Sequence, residues 1–355
     1  MRVLRPYLRP RVLVTVAVVL ALLAGLLAFG NVSQMVKLLA GFHPAALAIF
    51  FAVMVAFEAM RWVQWHFMLV SLGIRVPRRT EIFVYMTGEV TKDLPGGIFF
   101  PDYLLKRSQG TDFGLASSAT MLMTILEVAI SLTGLLILGI DAWPWLRPLI
   151  LVGSFAFLLV VWTLYRWHHH PHQHRPHPRL LALLRHRLVR KSLDELRQFG
   201  QGEATLLHPH VLTIGSLFSV TYLALGGLGL YVIIAGLGIP RVSVWQALAA
   251  YFFTVVFAAI IPLPMDFGST EVSGTGALLA MGVARSGAVA SVLIQRGLNL
   301  LCTLIIAAVT FLVLHDELRA ALAVRGEHAI RPTTATAYTT DPLTGDERES
   351  AALDV

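Results

Sequence analysis

The chain has 355 residues, 56% of them hydrophobic and 14% charged, with a mean hydropathy of +0.70 and a formal net charge of +7. Soluble domains carry about 25% charged residues, so a cytosolic globule and a disordered chain are both excluded. The single cysteine, Cys302, excludes an internal disulfide scaffold and a cysteine-based zinc site.

What remains is an all-α polytopic membrane protein. At about 20 residues per span, the length allows six to eight spans with modest loops, and the runs below lead to an expectation of about seven to eight transmembrane helices. The positive charge reads as topology rather than as a nucleic-acid footprint. Four arginines precede the first apolar run, 12–30, which puts the N-terminus in the cytoplasm. At roughly 19 residues that run exceeds the apolar core of a signal peptide, so a retained helix in the plasma membrane is expected.

A second apolar run, 44–72, ends at the basic flank of Arg75, Arg78 and Arg79. Residues 81–110 are too polar and too broken by Gly and Pro to cross lipid as one helix. The third run, 115–140, closes on Trp143 and Trp145, residues suited to a membrane interface. The fourth, 149–167, leads into a basic loop, 166–210, in which 179–199 has the leucine spacing of a helix lying on anionic headgroups. Runs 211–237, 244–261 and 287–314 complete the membrane domain, 1–315. A break begins at Pro262, and a Gly-rich stretch follows it. The tail, 316–355, is polar and acidic and reads as disordered.

Shifting the chain by 169 residues against itself aligns Leu94-Pro95 with Leu263-Pro264, Asp102 with Glu271, and Glu127 with Arg296. Each half then holds an apolar helix, a Pro-containing break, an acid seven residues after the proline, and a helix with a buried charge. Weak internal symmetry with interrupted hydrophobic segments at matching places points to a transporter site. Both breaks are therefore expected to be re-entrant and to face each other across one polar cavity, because irregular backbone at membrane depth needs protein or water around it.

A charge near mid-membrane costs about 2.5–3.5 kcal/mol on insertion scales, so such residues face protein, water or substrate. Glu58 and Arg61 lie three apart on one helix face, which allows either a structural ion pair or a headgroup role for Arg61. Glu127 and Arg296 allow internal pairing, or a phosphate held by the Arg296 guanidinium. The first break adds Lys92, Asp93, Pro95, Gly96, Gly97 and Asp102, and the second adds Pro264, Asp266 and Glu271. Together with Arg61, Glu127 and Arg296 these form the expected translocation path. The imidazoles of His168, His170, His172 and His174 are weak metal candidates. Prolines interrupt them and no acid accompanies them, so a linker without resident metal is expected. No cofactor motif, His-Glu-x-x-His, nucleotide-binding loop or hydrolase elbow occurs.

Arg61-Trp62, Leu94-Pro95-Gly96-Gly97 with Asp102, Glu127, Pro264 with Gly268 and Glu271, and Arg296 form a set in order. In this the chain resembles the flippase-type membrane domain of lysylphosphatidylglycerol synthases, the multiple peptide resistance factor family, over roughly residues 10–315. Two positions depart from the family pattern: Met265-Asp266 stand where a glycine pair is usual, and Val128 where an arginine follows the glutamate. The resemblance implies translocation of a membrane phospholipid or lipid-linked substrate, or help with it. It does not imply aminoacyl transfer, which needs a separate cytosolic domain. Two further readings stand beside it. One is a membrane enzyme using Asp93, Asp102 or Glu271 as acid or base. The other is a scaffold for a separate synthase or glycosyltransferase. Homo-oligomers fit all three.

Overall fold

The computed structural model describes residues 31–92, 97–142, 205–240, 242–261 and 268–314, with positions 148, 151, 152, 155 and 202 between them. Among the described residues the protein is all-helical, with nine α-helices, one 3-10 turn and no strand. The helices are α1 (Val32–Ala40), α2 (Pro44–Ser71), α3 (Arg78–Thr91), α4 (Phe100–Gln109), α5 (Phe113–Ala142), α6 (Pro209–Gly236), α7 (Val244–Ile260), α8 (Ser269–Ala280) and α9 (Arg285–Val313). The run 12–30, the run 149–167, almost all of the 166–210 loop with its histidines, and the 316–355 tail lie outside the described residues.

Four helices, α2, α5, α6 and α9, are long and apolar enough to cross a membrane, and α7 is a shorter apolar helix. At about 1.5 Å per residue, the 28-residue α2 reaches roughly 42 Å, more than the ~30 Å hydrocarbon core. Their ends follow local chemistry. His43 accepts the Ala45 N–H just before Pro44, which has no N–H to satisfy. Ser243 and Gln246 form a reciprocal capping box at the start of α7. Gly110 ends α4 at φ 70°, where a side chain would be strained. The outer faces stay apolar in the open, as at Leu217, Leu301, Val309 and Leu312, which suits lipid rather than water as the surrounding solvent. Helix α1 carries no run long enough to announce it in the sequence; it packs on α9.

Helices α2 and α6 share the most extensive interface. Gly236 meets Ala46, Gly229 meets Phe50, Gln64 donates to Ser219 Oγ at 2.7 Å, and Gly215 meets Met68. Numbers rise along one helix as they fall along the other, so the two run antiparallel. Glycines let the backbones approach closely enough for dispersion to hold them where no hydrophobic driving force exists. On the other face of α6, a Cβ at Gly227 would lie 2.9 Å from Leu248 Cα, a backbone atom of α7 that cannot swing aside. Gly227→Ala should therefore cost about 1–3 kcal/mol by overpacking. A lowered Tm in detergent, with Gly276→Ala as the open-space control, checks this.

The 169-residue offset recurs in the element bounds. Helices α3 and α7 end at Thr91 and Ile260, and α4 and α8 begin at Phe100 and Ser269, each pair 169 apart. Packing follows the same exchange: α3 lies on α9 as α7 lies on α5, and α2 lies on α5 as α6 lies on α9.

Candidate functional site

A cavity of about 560 Å³ lies where the two halves meet. Its wall takes residues in offset pairs: Arg61 and Leu230, Glu89 and Ala258, Pro101 and Thr270, Glu127 and Arg296. The described segments after the two breaks both reach it, Ile98 and Pro101 after the first, Thr270 and Gly274 after the second. Asp93, Pro95, Gly96, Pro264 and Asp266 lie outside the described residues. The pairs are chemically unlike. The first half supplies Arg61, Glu89, Lys92 and Glu127, whereas the counterparts Leu230 and Ala258 are apolar and Arg296 brings the charge from the second half.

Arg61 sits two-thirds of the way along α2, where lipid offers no counter-charge. Its Nη1 is 3.5 Å from Glu89 Oε2, and Glu89 also pairs with Lys92 one turn on. One carboxylate thus serves two cations, and the cluster carries one positive charge in excess. The guanidinium also lies over the rings of Phe57 and Tyr222, at 5.7 and 5.5 Å from their centroids. Of the two readings left open for Glu58 and Arg61, the ion pair within α2 is not the contact seen. Glu58 is buried and accepts instead from Tyr85 at 3.4 Å and from Thr303 at 3.2 Å. Spacing of three on one helix permits a pair, but α3 offers Arg61 a carboxylate in the cavity. Glu89 is the site residue that sequence reasoning passed over; a mid-span arginine beside a polar broken segment was the available signal.

Arg296 Nε lies 3.8 Å from Glu271 Oε1, so its partner carboxylate comes from α8. Glu127 lines the same cavity from α5. The other oxygen of Glu271 accepts the Gly268 N–H at 2.6 Å and the Thr270 hydroxyl at 2.9 Å. It thereby satisfies one of the orphan donors at the start of α8, a position where negative charge is also favoured by the helix dipole. Gly268 itself has φ 93°, a conformation open to glycine. Val128, at the family's arginine position, also faces the cavity.

Gly97 lies behind the wall rather than in it. A Cβ there would stand 1.7 Å from the Thr91 carbonyl oxygen, so only glycine lets the chain turn this closely past the end of α3. Asp102, wholly buried in the first turn of α4, accepts from the Thr120 hydroxyl at 3.1 Å. Burial pushes its carboxyl up to about 7, against the pull of the Thr120 and Ser117 hydroxyls. Above the ordinary carboxylate value, 3.8, the folded state holds a proton that the unfolded chain has lost. This group should make stability fall as pH rises from about 4 to about 7 and level off above. Asp102→Asn should remove that decline, read as Tm against pH in detergent.

Among the described residues no group of three His, Cys, Asp or Glu is placed to hold a metal ion. Apolar helices of spanning length around a charged internal cavity define an integral membrane protein with a polar site in its interior. The family model of the lysylphosphatidylglycerol synthase TM region matches residues 12–307, and the chain belongs to that family. No curated protein matches the chain.

Proposed function

We propose that the protein moves a phospholipid or lipid-linked substrate between leaflets, with the headgroup passing through the cavity between the two halves. The single observation that carries this reading is the paired lining of that cavity. Residues 169 apart meet there, and α2 and its counterpart α6 run antiparallel, the signature of an inverted-topology repeat. In transporters built this way the substrate sits at the repeat interface near the bilayer midplane. The net-positive Arg61–Glu89–Lys92 cluster and the Arg296 fork suit a phosphate. Val90, Ile98 and Leu304, apolar and exposed, rim the same cavity and suit acyl chains that remain in lipid.

Helix lengths favour re-entrant breaks. At ~1.5 Å per residue, α3 and α4 reach only about 21 and 15 Å, short of the ~30 Å core. Each pair folds back on itself: Gly88 meets Pro101, and Gly274 meets Thr254. The four long helices and the two apolar runs read from the sequence make six spans, one fewer than the lower expected count because α7 belongs with its folded-back pair. The basic start of the chain supports a plasma-membrane protein with a cytoplasmic N-terminus.

Reconstitution tests the reading. The full chain, placed in phosphatidylglycerol–phosphatidylethanolamine vesicles with a headgroup-labelled fluorescent phosphatidylglycerol, should expose inner-leaflet label to an external quencher faster than empty vesicles do. Equal rates in the two preparations, with the protein correctly inserted, would refute it.

A further inference from the structure

Asp102 is a buried carboxyl that the headgroup path leaves without a task. Its counterpart Glu271 occupies the same third position of the equivalent helix and engages Gly268 and Arg296. Among the described residues Asp102 engages neither a cation nor a helix-end N–H. Its Oδ1 accepts from the Thr120 hydroxyl, the Ser117 hydroxyl acts on it more weakly, and its Oδ2 has no hydrogen-bond partner. Among the described residues, the ionisable groups on the neighbouring elements are paired elsewhere, line the cavity or are exposed. On α3 and its end, Tyr85 donates to Glu58, Glu89 and Lys92 pair with each other and Glu89 with Arg61, Glu81 holds His66 at 2.8 Å, and Arg78 and Arg79 are exposed. On α5, Glu127 lines the cavity, and Asp112 just before that helix is exposed. On α4 itself, Lys106 lies 5.9 Å from the centroid of the Phe113 ring, while Tyr103 and Arg107 are exposed.

A wholly buried carboxyl with one hydroxyl donor, one unpartnered oxygen and no cation is readily buried only in its neutral form. Its immediate neighbours Pro101 on α4 and Thr120 on α5 are part of the cavity wall, so a separation of α4 from α5 would bring water to the acid. We propose that Asp102 is a proton-binding site that holds its proton while this wall is closed and releases it to cavity water when the wall opens, coupling the headgroup cycle to proton movement. The coupling rests on the translocation reading; the proton site does not.

Two readouts on the full chain in the same vesicles separate these. Infrared difference spectra between pH 5 and 9 should show a protonated-carboxyl band that titrates near neutrality and is missing in Asp102→Asn. Translocation of the labelled phosphatidylglycerol should vary across the same range in the parent and be flat in Asp102→Asn. Thr120→Val removes a bond to the charged form and leaves the acid in place, so it should move both midpoints to higher pH; this variant carries the test if Asp102→Asn does not fold. A titrating band that survives in Asp102→Asn, or midpoints unmoved by Thr120→Val, would overturn the proton site. A parental pH profile retained by a folded Asp102→Asn would overturn the coupling. Parent protein that moves no lipid at any pH, with the band titrating normally, would defeat the translocation reading and its coupling while supporting the proton site.

Discussion

Glu89→Ala should be the most damaging single substitution in the cavity, lowering stability by about 3–5 kcal/mol and abolishing translocation. The carboxylate is 8% exposed and is shared by Arg61 and Lys92, so its removal strands two cations at once. Most of the cost falls on Arg61, which is 18% exposed between aromatic rings; Lys92, at 30%, can turn toward water. The cause is separable from simple loss of volume. Combining Glu89→Ala with Arg61→Met replaces the stranded charge by an apolar side chain and should recover most of the lost stability without recovering transport. Thermal unfolding in detergent reads the first effect and vesicle assays the second. If the double variant is no more stable than Glu89→Ala alone, the ion pair is not what holds α2 to α3.

Arg296→Lys should fold as the parent does and translocate at least about tenfold more slowly. An ammonium keeps the charge beside Glu271 but cannot present the planar fork that grips two phosphate oxygens. Loss of a charge-assisted bond is worth about 1.5–3 kcal/mol, and each 1.4 kcal/mol is about tenfold. The structural alternative makes the opposite prediction. If Arg296 only neutralises Glu271, then Glu271→Gln with Arg296→Gln should restore both fold and transport, because the amide at position 271 can still accept the Gly268 N–H. We expect that double variant to fold and to remain slow.

The membrane class and the helices were legible in the sequence because hydrophobic runs of spanning length leave few alternatives. The ends of α2, α5, α6, α7 and α9 lie within about two residues of the apolar runs. The 169-residue repeat was legible too, through the prolines and acids that flank its breaks. What the sequence did not disclose was partnership between helices. Periodicity places Glu58 beside Arg61 on one helix, and the repeat sets Glu127 opposite Arg296, yet the partners are Glu89 and Glu271. Which carboxylate an arginine reaches depends on how helices distant in sequence lean together. That is decided by close contacts such as Gly88 on Pro101 and Gly227 on Leu248, which periodicity does not encode. Asp102 and Glu271 show the same limit: they occupy equivalent positions, yet Glu271 meets a helix-end N–H and an arginine while Asp102 meets the Thr120 hydroxyl.

The most direct measurement of the central claim is a cryo-EM structure of the full chain in nanodiscs of phosphatidylglycerol and phosphatidylethanolamine. The account predicts lipid density in the cavity, with phosphate oxygens about 3 Å from Arg296 and from Arg61 or Lys92, and acyl chains leaving past Val90 and Leu304. A cavity filled by water alone, with ordered lipid confined to the outer faces of α6 and α9, would contradict it.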